Sequence, residues 1–143
     1  MSIRTSTAVW EGDLPSGSGT MTIGDGVYTG AYSFPSRFQE GDGTNPEELI
    51  AAAHAGCYSM ALSHVLAEAG HTPTRVHTTA KVHLEPDRGG GFHIPHIELH
   101  TEAVVPGLDD AAFQEHAEGA KKGCPVSKLV TGADITLNAR LVG

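Results

Sequence analysis

The sequence predicts a single α+β domain over residues 1–143, in which a mostly antiparallel sheet is wrapped on one long central helix. Strand and helix patterns follow in the order βββ-α-ββ-α-β, which segregates strands from helices instead of alternating them. Eighteen glycines and eight prolines favour strands joined by tight turns. A chain of 143 residues is long enough for one hydrophobic core and too short for two.

The N-terminal residues predict an antiparallel meander followed by a loop. Residues Arg4–Trp10 are rich in β-branched side chains, and two further strand patterns, Thr20–Ile23 and Val27–Phe34, lie on either side of a Gly-Asp-Gly turn. Residues Phe34–Asn45 contain proline, two glycines and no hydrophobic period, which predicts a loop.

The strongest local signal is a helix from Pro46 to Gly70. Asn45 is suited to the N-cap, Pro46 to the first helical position, and Glu48 to closing a capping box with Asn45. Gly70 stands where a C-terminal glycine ends a helix. Small and apolar residues cover more than one stripe, so we expect a largely buried helix, covered by the sheet on one side and by a second chain on the other.

The C-terminal half predicts a long hairpin, two helices and a last strand. Alternating apolar and polar residues mark the strands, and Leu108 and Phe113 flank Asp109 as a hydrophobic staple flanks an N-cap. The predicted elements are strands at 75–85 and 97–105, a helix from Asp109 to Gly123, a short helix at 124–128 and a strand at 135–141.

Charge and composition exclude several classes of function. The net charge of -8 repels phosphate backbones and anionic lipid, so nucleic acid is not an expected partner. No continuous apolar stretch reaches the ~18 residues of a membrane span, and the N-terminus does not resemble a secretory signal. We therefore expect a cytoplasmic protein with no membrane partner.

Two cysteines in a reducing compartment point to reactive thiols, metal ligands or plain packing rather than a disulfide framework. Cys57 lies in the middle of the long helix, where burial raises a thiol pKa, so a space-filling role is open to it. Cys124 occupies the predicted N-cap of the short helix, where free N–H groups favour a thiolate. Cys124 is therefore expected to be the more acidic thiol, and a capping or core role is its alternative.

Nine histidines make zinc the competing use of the thiols. His54 precedes Cys57 by one helical turn, and His96 and His100 share one strand face, but the sequence has no C-x-x-C pair. We expect no metal site and interpret the strand histidines as solvated polar positions. A serine or cysteine hydrolase lacks support because there is no G-x-S-x-G motif.

Two segments, TNPEELIAAAHAGCYSMAL at 44–62 and GCPVSK at 123–128, closely resemble the OsmC/Ohr family of osmotically inducible protein C and organic hydroperoxide resistance proteins. The segments AVWEGDLPSGSGT, SRFQEGDGTNPEEL, VPGLD and ITLNARL extend the resemblance to the OsmC branch over essentially the whole chain. The resemblance implies an OsmC-like intertwined homodimer with active sites at the subunit interface. It also implies an antioxidant thiol peroxidase that reduces organic hydroperoxides to alcohols.

The resemblance also assigns the site residues. It implies that Cys57 is the peroxidatic cysteine and Cys124 the resolving one, and that Arg37 and Glu47 are the catalytic arginine and glutamate. Cys57 would form a sulfenic acid and then a disulfide with Cys124. An external dithiol would reopen this bond, with dihydrolipoyl groups of lipoylated proteins as the implied reductant and no bound cofactor. The residues themselves do not select dihydrolipoyl groups over thioredoxin.

Elementary chemistry gives Arg37 and Glu47 definite tasks in such a site. A buried mid-helix thiol ionises at neutral pH only beside a compensating cation, and a guanidinium is always charged. Glu47 can orient that guanidinium through a bidentate pair. Glu47 and Cys57 are about 15 Å apart along one helix and are turned by about 80° about its axis, so one chain cannot easily bring both to one substrate. We therefore expect either that Arg37 and Glu47 serve the thiol of the partner chain or that Arg37 reaches back from its loop.

Other uses of the same residues stay open. Arg37 can be an ordinary solvated charge, and Glu47 can be a first-turn acid that stabilises the helix dipole. The alternative function is a non-catalytic dimeric module that binds a small apolar ligand in the same groove. Cys57→Ser separates the two functions, because peroxide consumption would be lost while ligand binding would not change.

Overall fold

The computed structural model describes all residues from 1 to 143, in two compact units, Met1–Leu49 and Ile50–Gly143. Each unit contains one three-stranded sheet. The α+β class is confirmed, but the single sheet expected from the sequence is wrong, since the strands form two small sheets. A single domain over the whole chain stays a prediction.

The first unit is built on an antiparallel meander, as predicted. Its strands are β1 (Ser6–Glu11), β2 (Ser18–Ile23) and β3 (Tyr28–Tyr32), in the order β1-β2-β3. The turn between β2 and β3 uses Gly24 and Gly26 at positive φ angles of 58° and 99°, which other residues rarely adopt. The sheet therefore closes through a tight turn where the sequence places its glycines.

The predicted loop at 34–45 contains a short helix, α1 (Phe34–Phe38), so that prediction is wrong. Ser33 is the N-cap, and its hydroxyl accepts a hydrogen bond from the backbone N–H of Ser36 at 3.2 Å. The Ser36 hydroxyl accepts one from the N–H of Ser33 at 2.8 Å. A capping box closed by serine rather than Glu or Gln is easily missed in a sequence. This helix fixes the backbone at Arg37.

The long helix α2 (Pro46–Glu68) is present almost as predicted. Asn45 caps it, since its Oδ1 accepts a hydrogen bond of 2.8 Å from the N–H of Glu48. The predicted capping box is wrong in its second half, because the Glu48 carboxylate accepts from the hydroxyl of Thr44 at 2.8 Å instead. Gly70, at a φ of 89°, follows the end of the helix.

One face of α2 is buried and the opposite face is exposed. The buried line recurs every four residues at His54, Tyr58, Leu62 and Leu66. The exposed strip consists of Ala52, Ala53, Gly56, Met60, His64 and Ala67. In the single chain, 22% of its most apolar 18-residue window is buried, and the cover expected from a second chain stays a prediction. Contrary to the sequence expectation, α2 is also long and apolar enough to cross a membrane, by length and composition alone.

The sheet of the second unit contains the predicted hairpin and the last strand. Strands β4 (Arg75–Pro86) and β5 (Phe92–Val104) pair antiparallel, and β6 (Asp134–Leu141) pairs with β5 in parallel. Three of the four strand pairings in the chain are thus antiparallel. Ile97 and Leu99 of β5 are among the buried residues of the core.

Two helices between β5 and β6 complete the second unit. The first, α3 (Asp110–Gly123), is capped by Asp109, whose carboxylate accepts from the N–H of Ala112 at 2.8 Å. The second, α4 (Pro125–Leu129), begins at once, so Cys124 is both the C-cap of α3 and the N-cap of α4. The core joins one face of each longer helix to the sheet through Tyr58, Leu62, Leu66, Ile97, Leu99, Phe113 and Ala117.

Candidate active site

Cys57 and Cys124 meet in the second unit although 67 residues separate them in sequence. Their Sγ atoms are 2.9 Å apart, and both thiols are free. Cys57 is half-buried at the middle of α2, whereas Cys124 is fully buried at the corner between α3 and α4. At this separation a small side-chain movement suffices to join the sulfurs.

The backbone at Cys124 is held firmly. Its N–H donates to the carbonyl of Ala120 at 2.9 Å, and its carbonyl accepts from the N–H of Lys128 at 3.1 Å. Pro125 supplies the fixed φ angle that suits the first position of α4. The sulfur of Cys124 is therefore presented to Cys57 by a rigid corner rather than a loop.

Burial and local hydrogen bonds separate the acidities of the two thiols. Burial is the main cause that raises the pKa of Cys57, and its hydrogen bond with Cys124 raises it further. Burial also opposes ionisation of Cys124, but hydrogen bonds from Cys57 and from the backbone and hydroxyl of Ser127 outweigh it and lower the pKa of Cys124. The direction agrees with the sequence prediction that Cys124 is the more acidic thiol.

Two buried polar residues, His54 and Ser127, lie behind the thiols; the sequence considered His54 only as a possible zinc ligand and did not identify Ser127. Nε2 of His54 lies 2.8 Å from Oγ of Ser127, and Nδ1 of His54 is buried with no hydrogen-bond partner. Burial lowers the pKa of His54, so its imidazole is neutral. The available signal was the position of His54 on the same helical line as Tyr58 and Leu62, since a polar residue on a core line needs a buried partner.

Arg37 and Glu47 meet in the first unit. Nε of Arg37 donates to Oε1 of Glu47 at 2.8 Å, and Nη2 donates to Oε2 at 3.3 Å. The guanidinium carbon also lies 5.2 Å from the centre of the Phe38 ring. The Arg37 side chain is 35% exposed and the Glu47 side chain 10% exposed. The predicted bidentate pair is therefore formed, with part of the guanidinium facing outward.

A histidine cluster lies on the exposed face of the β4-β5 hairpin. His83 and His96 are direct cross-strand partners, and possible ligand atoms of His83, His96 and Glu98 lie within 4.8 Å of one another. Hydrogen bonds from His83 and then His100 lower the pKa of Glu98 from its ordinary 4.5 to about 2. The sequence placed His96 and His100 on one strand face, and only the strand register brings His83 of the neighbouring strand alongside them.

Known proteins match the chain over most of its length. A family model described as OsmC-like protein matches residues 39–139. The chain belongs to the OsmC family. The predicted membership of this family is thereby confirmed. The matched stretch includes Cys57 and Cys124, and Arg37 lies two residues before it.

Individual relatives include both branches that the sequence resembles. Peroxiredoxin OsmC of Escherichia coli is 50% identical over 135 residues, which cover 94% of this chain and 93% of that protein. Organic hydroperoxide resistance protein OhrB of Bacillus subtilis is 34% identical over 126 residues, covering 86% of this chain and 90% of that protein.

Solved structures share the fold of this OsmC-family chain. The crystal structure of OhrB of Bacillus subtilis has a TM-score of 0.73 at 30% identity, covering 96% of this chain and 98% of that one. An organic hydroperoxide resistance protein OsmC of Legionella pneumophila has a TM-score of 0.75 at 26% identity, covering 98% and 99%. The α+β architecture is thus shared with these solved organic hydroperoxide resistance proteins.

Proposed function

We propose that this chain is a thiol peroxidase that reduces organic hydroperoxides to alcohols. The observation that carries the proposal is the pair of free thiols with sulfurs 2.9 Å apart, one half-buried and one fully buried. Relatives named peroxiredoxin OsmC and organic hydroperoxide resistance protein support the same chemistry and substrate class.

Cys57 is the peroxidatic cysteine in this proposal, because it is the more accessible of the two thiols. Its thiolate attacks the terminal peroxide oxygen, the O–O bond breaks, and the alkoxide takes up a proton and leaves as the alcohol. The sulfur becomes a sulfenic acid, which carries the terminal oxygen of the peroxide. Cys57 is thereby oxidised by two electrons and the hydroperoxide is reduced by two.

Cys124 is the resolving cysteine. Its sulfur attacks the sulfenic sulfur of Cys57, the S–S bond forms, and the oxygen leaves as water. The resulting disulfide protects Cys57 from further oxidation to sulfinic acid. An external dithiol then supplies two electrons to restore both thiols, and we propose dihydrolipoyl groups of lipoylated proteins as this reductant, with no bound cofactor.

Arg37 supplies the charge that the thiol unit lacks. Burial raises the pKa of Cys57, so a thiolate at neutral pH requires a cation beside it. Arg37 is permanently charged, and Glu47 and Phe38 hold its guanidinium while leaving further N–H donors unused by Glu47. Those donors suit the oxygen that develops negative charge as the peroxide bond breaks.

Whether Arg37 serves its own chain or a partner can be tested by mixing two inactive variants. We propose that Arg37 and Glu47 act on the partner chain's Cys57. A heterodimer of an Arg37→Ala chain with a Cys57→Ser chain then keeps one complete site and recovers about half the activity per dimer. If the residues act within one chain, no site is complete and the mixture stays inactive.

A homodimer is the proposed assembly, and an intertwined one is the form that the resemblance implies. The exposed strip of α2 is apolar apart from His64, and its alanines and glycine permit close approach of a second helix. The opposite face of α2 packs against the core of its own chain and carries the buried His54. This burial favours a second copy of the chain over lipid as the cover of the exposed strip. A cytoplasmic location accords with this assembly.

The dimer proposal has a direct test on this strip. Met60→Asp places a charge at a side chain that is 76% exposed in the single chain, so the variant does not disturb the core of one unit. We expect sedimentation equilibrium to give a dimer for the wild type and a monomer for Met60→Asp. A wild-type monomer would contradict the proposal, and so would an unchanged Met60→Asp dimer.

Mass spectrometry after one equivalent of cumene hydroperoxide tests the catalytic proposal. We expect a loss of two hydrogens per chain, with a Cys57–Cys124 bond in the peptide map, and no oxidation in the matched Cys57→Ser variant. A gain of one oxygen that persists means that Cys124 does not resolve the sulfenic acid. Equal, slow peroxide consumption by the wild type and Cys57→Ser would instead favour the non-catalytic binding module.

A further inference from the structure

Two imidazoles and a carboxylate meet on the exposed face of the β4-β5 hairpin. Possible ligand atoms of His83, His96 and Glu98 lie within 4.8 Å of one another. Side chains alternate between the two faces of a strand, and Ile97 and Leu99, on either side of Glu98, enter the core that the thiols join. The cluster therefore lies on the opposite face of the sheet from the thiols and takes no part in the peroxide cycle proposed above.

The strand register brings these three residues together. His83 and His96 are direct cross-strand partners, and their ring centres are 4.9 Å apart with the ring planes at 20° to each other. Glu98 follows His96 by two residues and therefore shares its face of β5. The register shifts just beyond the cluster, because Glu85 pairs with His93. Irregularities of this kind re-aim side chains and are common beside functional sites.

Contacts with two further residues hold the cluster in place. Nε2 of His83 contacts Oε2 of Glu98, and the other carboxylate oxygen, Oε1, lies 3.1 Å from Nε2 of His100. Nε2 of His96 lies 2.9 Å from Oγ1 of Thr136 on β6. Outer partners of this kind orient metal ligands, and their loss lowers metal affinity by about 10- to 100-fold. The cluster is thus tied to all three strands of the sheet.

Imidazole and carboxylate donors in combination favour a transition-metal ion. They suit Zn²⁺, Cu²⁺ and Ni²⁺, whereas Mg²⁺ and Ca²⁺ prefer sites made of oxygen alone. Donor atoms about 2.1 Å from a tetrahedral Zn²⁺ are about 3.4 Å from one another, so the three side chains need only small movements to enclose an ion. Lys81 stands opposite Glu98 and opposes a cation locally, while the net charge of -8 attracts cations to the molecule as a whole.

We propose that His83, His96 and Glu98 bind one divalent transition-metal ion, represented by Zn²⁺. His100 is the positioning residue that holds the Glu98 carboxylate. Three protein ligands leave the remaining coordination to water on the exposed side of the sheet. This proposal replaces the interpretation of His96 and His100 as solvated polar positions. It goes beyond the proposed peroxidase function, and zinc binding and peroxide consumption are measured independently.

The bound ion should stabilise the folded chain. Its ligands come from two strands that separate on unfolding, so the ion binds the folded state in preference. The midpoint of thermal unfolding should therefore rise with zinc concentration. The free thiols of Cys57 and Cys124 also attract zinc. The measurements are therefore made on the untagged full chain carrying Cys57→Ser and Cys124→Ser, alongside the wild type.

Isothermal titration calorimetry with ZnCl₂ tests the ligand set in this thiol-free chain. We expect one ion per chain. His83→Ala, His96→Ala and Glu98→Gln should each weaken binding by at least about a hundredfold, which exceeds the usual effect of losing an outer partner. His100→Leu should weaken it by about tenfold, since it removes only the contact that orients the carboxylate. Lys81→Met should tighten it.

His77→Ala provides the matched control, because His77 is exposed on the same strand, opposite Glu102 and outside the cluster. It should leave both the zinc affinity and the zinc-dependent rise in the unfolding midpoint unchanged. An equal loss in His77→Ala would overturn the proposal, because that pattern indicates unspecific binding to surface histidines. Zinc binding by the wild type that disappears in the thiol-free chain would overturn it too, and so would undiminished binding by His83→Ala and His96→Ala.

Discussion

The two units of the chain hold their reactive groups in opposite ways. In Met1–Leu49, Arg37 and Glu47 form a two-point ion pair in which the arginine side chain stays 35% exposed. In Ile50–Gly143, Cys57 and Cys124 belong to a packed core, and burial is the largest influence on both thiols. The first unit holds a permanently charged guanidinium, and the second holds two sulfurs 2.9 Å apart.

The difference shows what each environment can and cannot do for a peroxidase. A core excludes water and fixes the approach of two sulfurs, but it opposes the ionisation that makes a thiol nucleophilic. A partly exposed guanidinium keeps its charge, and its ion pair contributes less to stability than a packed core does. Changes in the first unit should therefore alter activity with little effect on folding, whereas changes in the second should alter both.

The largest effect is expected from Arg37→Ala. In the proposed cycle, loss of the guanidinium removes the charge for Cys57 and the donors for the peroxide oxygen, so kcat/KM for cumene hydroperoxide should fall by about a hundred- to a thousandfold. The midpoint of thermal unfolding should fall only modestly, through the loss of the partner of Glu47. Arg140→Ala is the control, since Arg140 pairs with Glu102 at an exposed position and should keep full activity. Normal activity in Arg37→Ala would remove the first unit from the proposed site.

Glu47→Gln should have a smaller effect on activity. The amide keeps the shape of the carboxylate but loses its charge and one of two acceptors for Arg37, so kcat/KM should fall by about tenfold. The measurement is steady-state peroxide consumption, compared with Glu48→Gln on the same first turn. Equal losses in the two variants would mean that the helix terminus, not the orientation of Arg37, is responsible.

Tyr58→Phe should reveal the stability side of the comparison. The Tyr58 hydroxyl donates to the carbonyl of Ala117 at 3.0 Å inside the core of the second unit. Its removal should lower the free energy of unfolding by about 1 kcal/mol, measured by urea denaturation. Tyr28→Phe in the first unit, where Tyr28 is 46% exposed, should lower it by less. Equal losses of unfolding free energy in the two variants would contradict the distinction between the units.

The smallest effect concerns acid stability of the exposed hairpin face. The pKa of Glu98 is lowered from 4.5 to about 2, by its hydrogen bonds with His83 and His100. A depressed folded-state pKa stabilises the protein above pH 4.5, and this contribution is lost as the pH falls from 4.5 towards 2. Glu98→Gln should flatten the pH dependence of the unfolding midpoint in that window. An unchanged slope would mean that Glu98 is not held by the histidines.

Local signals predicted the helices and the hairpin well. Asn45, Pro46 and Gly70 bracket α2 through chemistry that acts within a few residues, and the alternation in β4 and β5 follows directly from burying one face. The serine capping box of α1 was missed because it lacks the usual acidic partner. The parallel pairing of β6 with β5 was not predicted, since long-range register depends on packing of the intervening helices.

The candidate site was predictable only in part. Cys57, Cys124, Arg37 and Glu47 came from the resemblance, and the structure places them in two pairs whose catalytic roles stay predictions. The His54 and Ser127 contact joins residues 73 apart, and no local pattern reports such a contact. A histidine on a core-facing helical line shows that a partner is needed but not which one.

The central claim is that the Arg37 guanidinium keeps Cys57 ionised, and thiolate titration tests it most directly. Cys124→Ser leaves Cys57 as the single thiol, and its ultraviolet absorbance can be followed in this variant with and without Arg37→Ala. We predict a Cys57 that is largely thiolate at neutral pH when Arg37 is present and largely protonated when it is absent. A Cys57 that titrates above its ordinary pKa in both proteins would contradict the account.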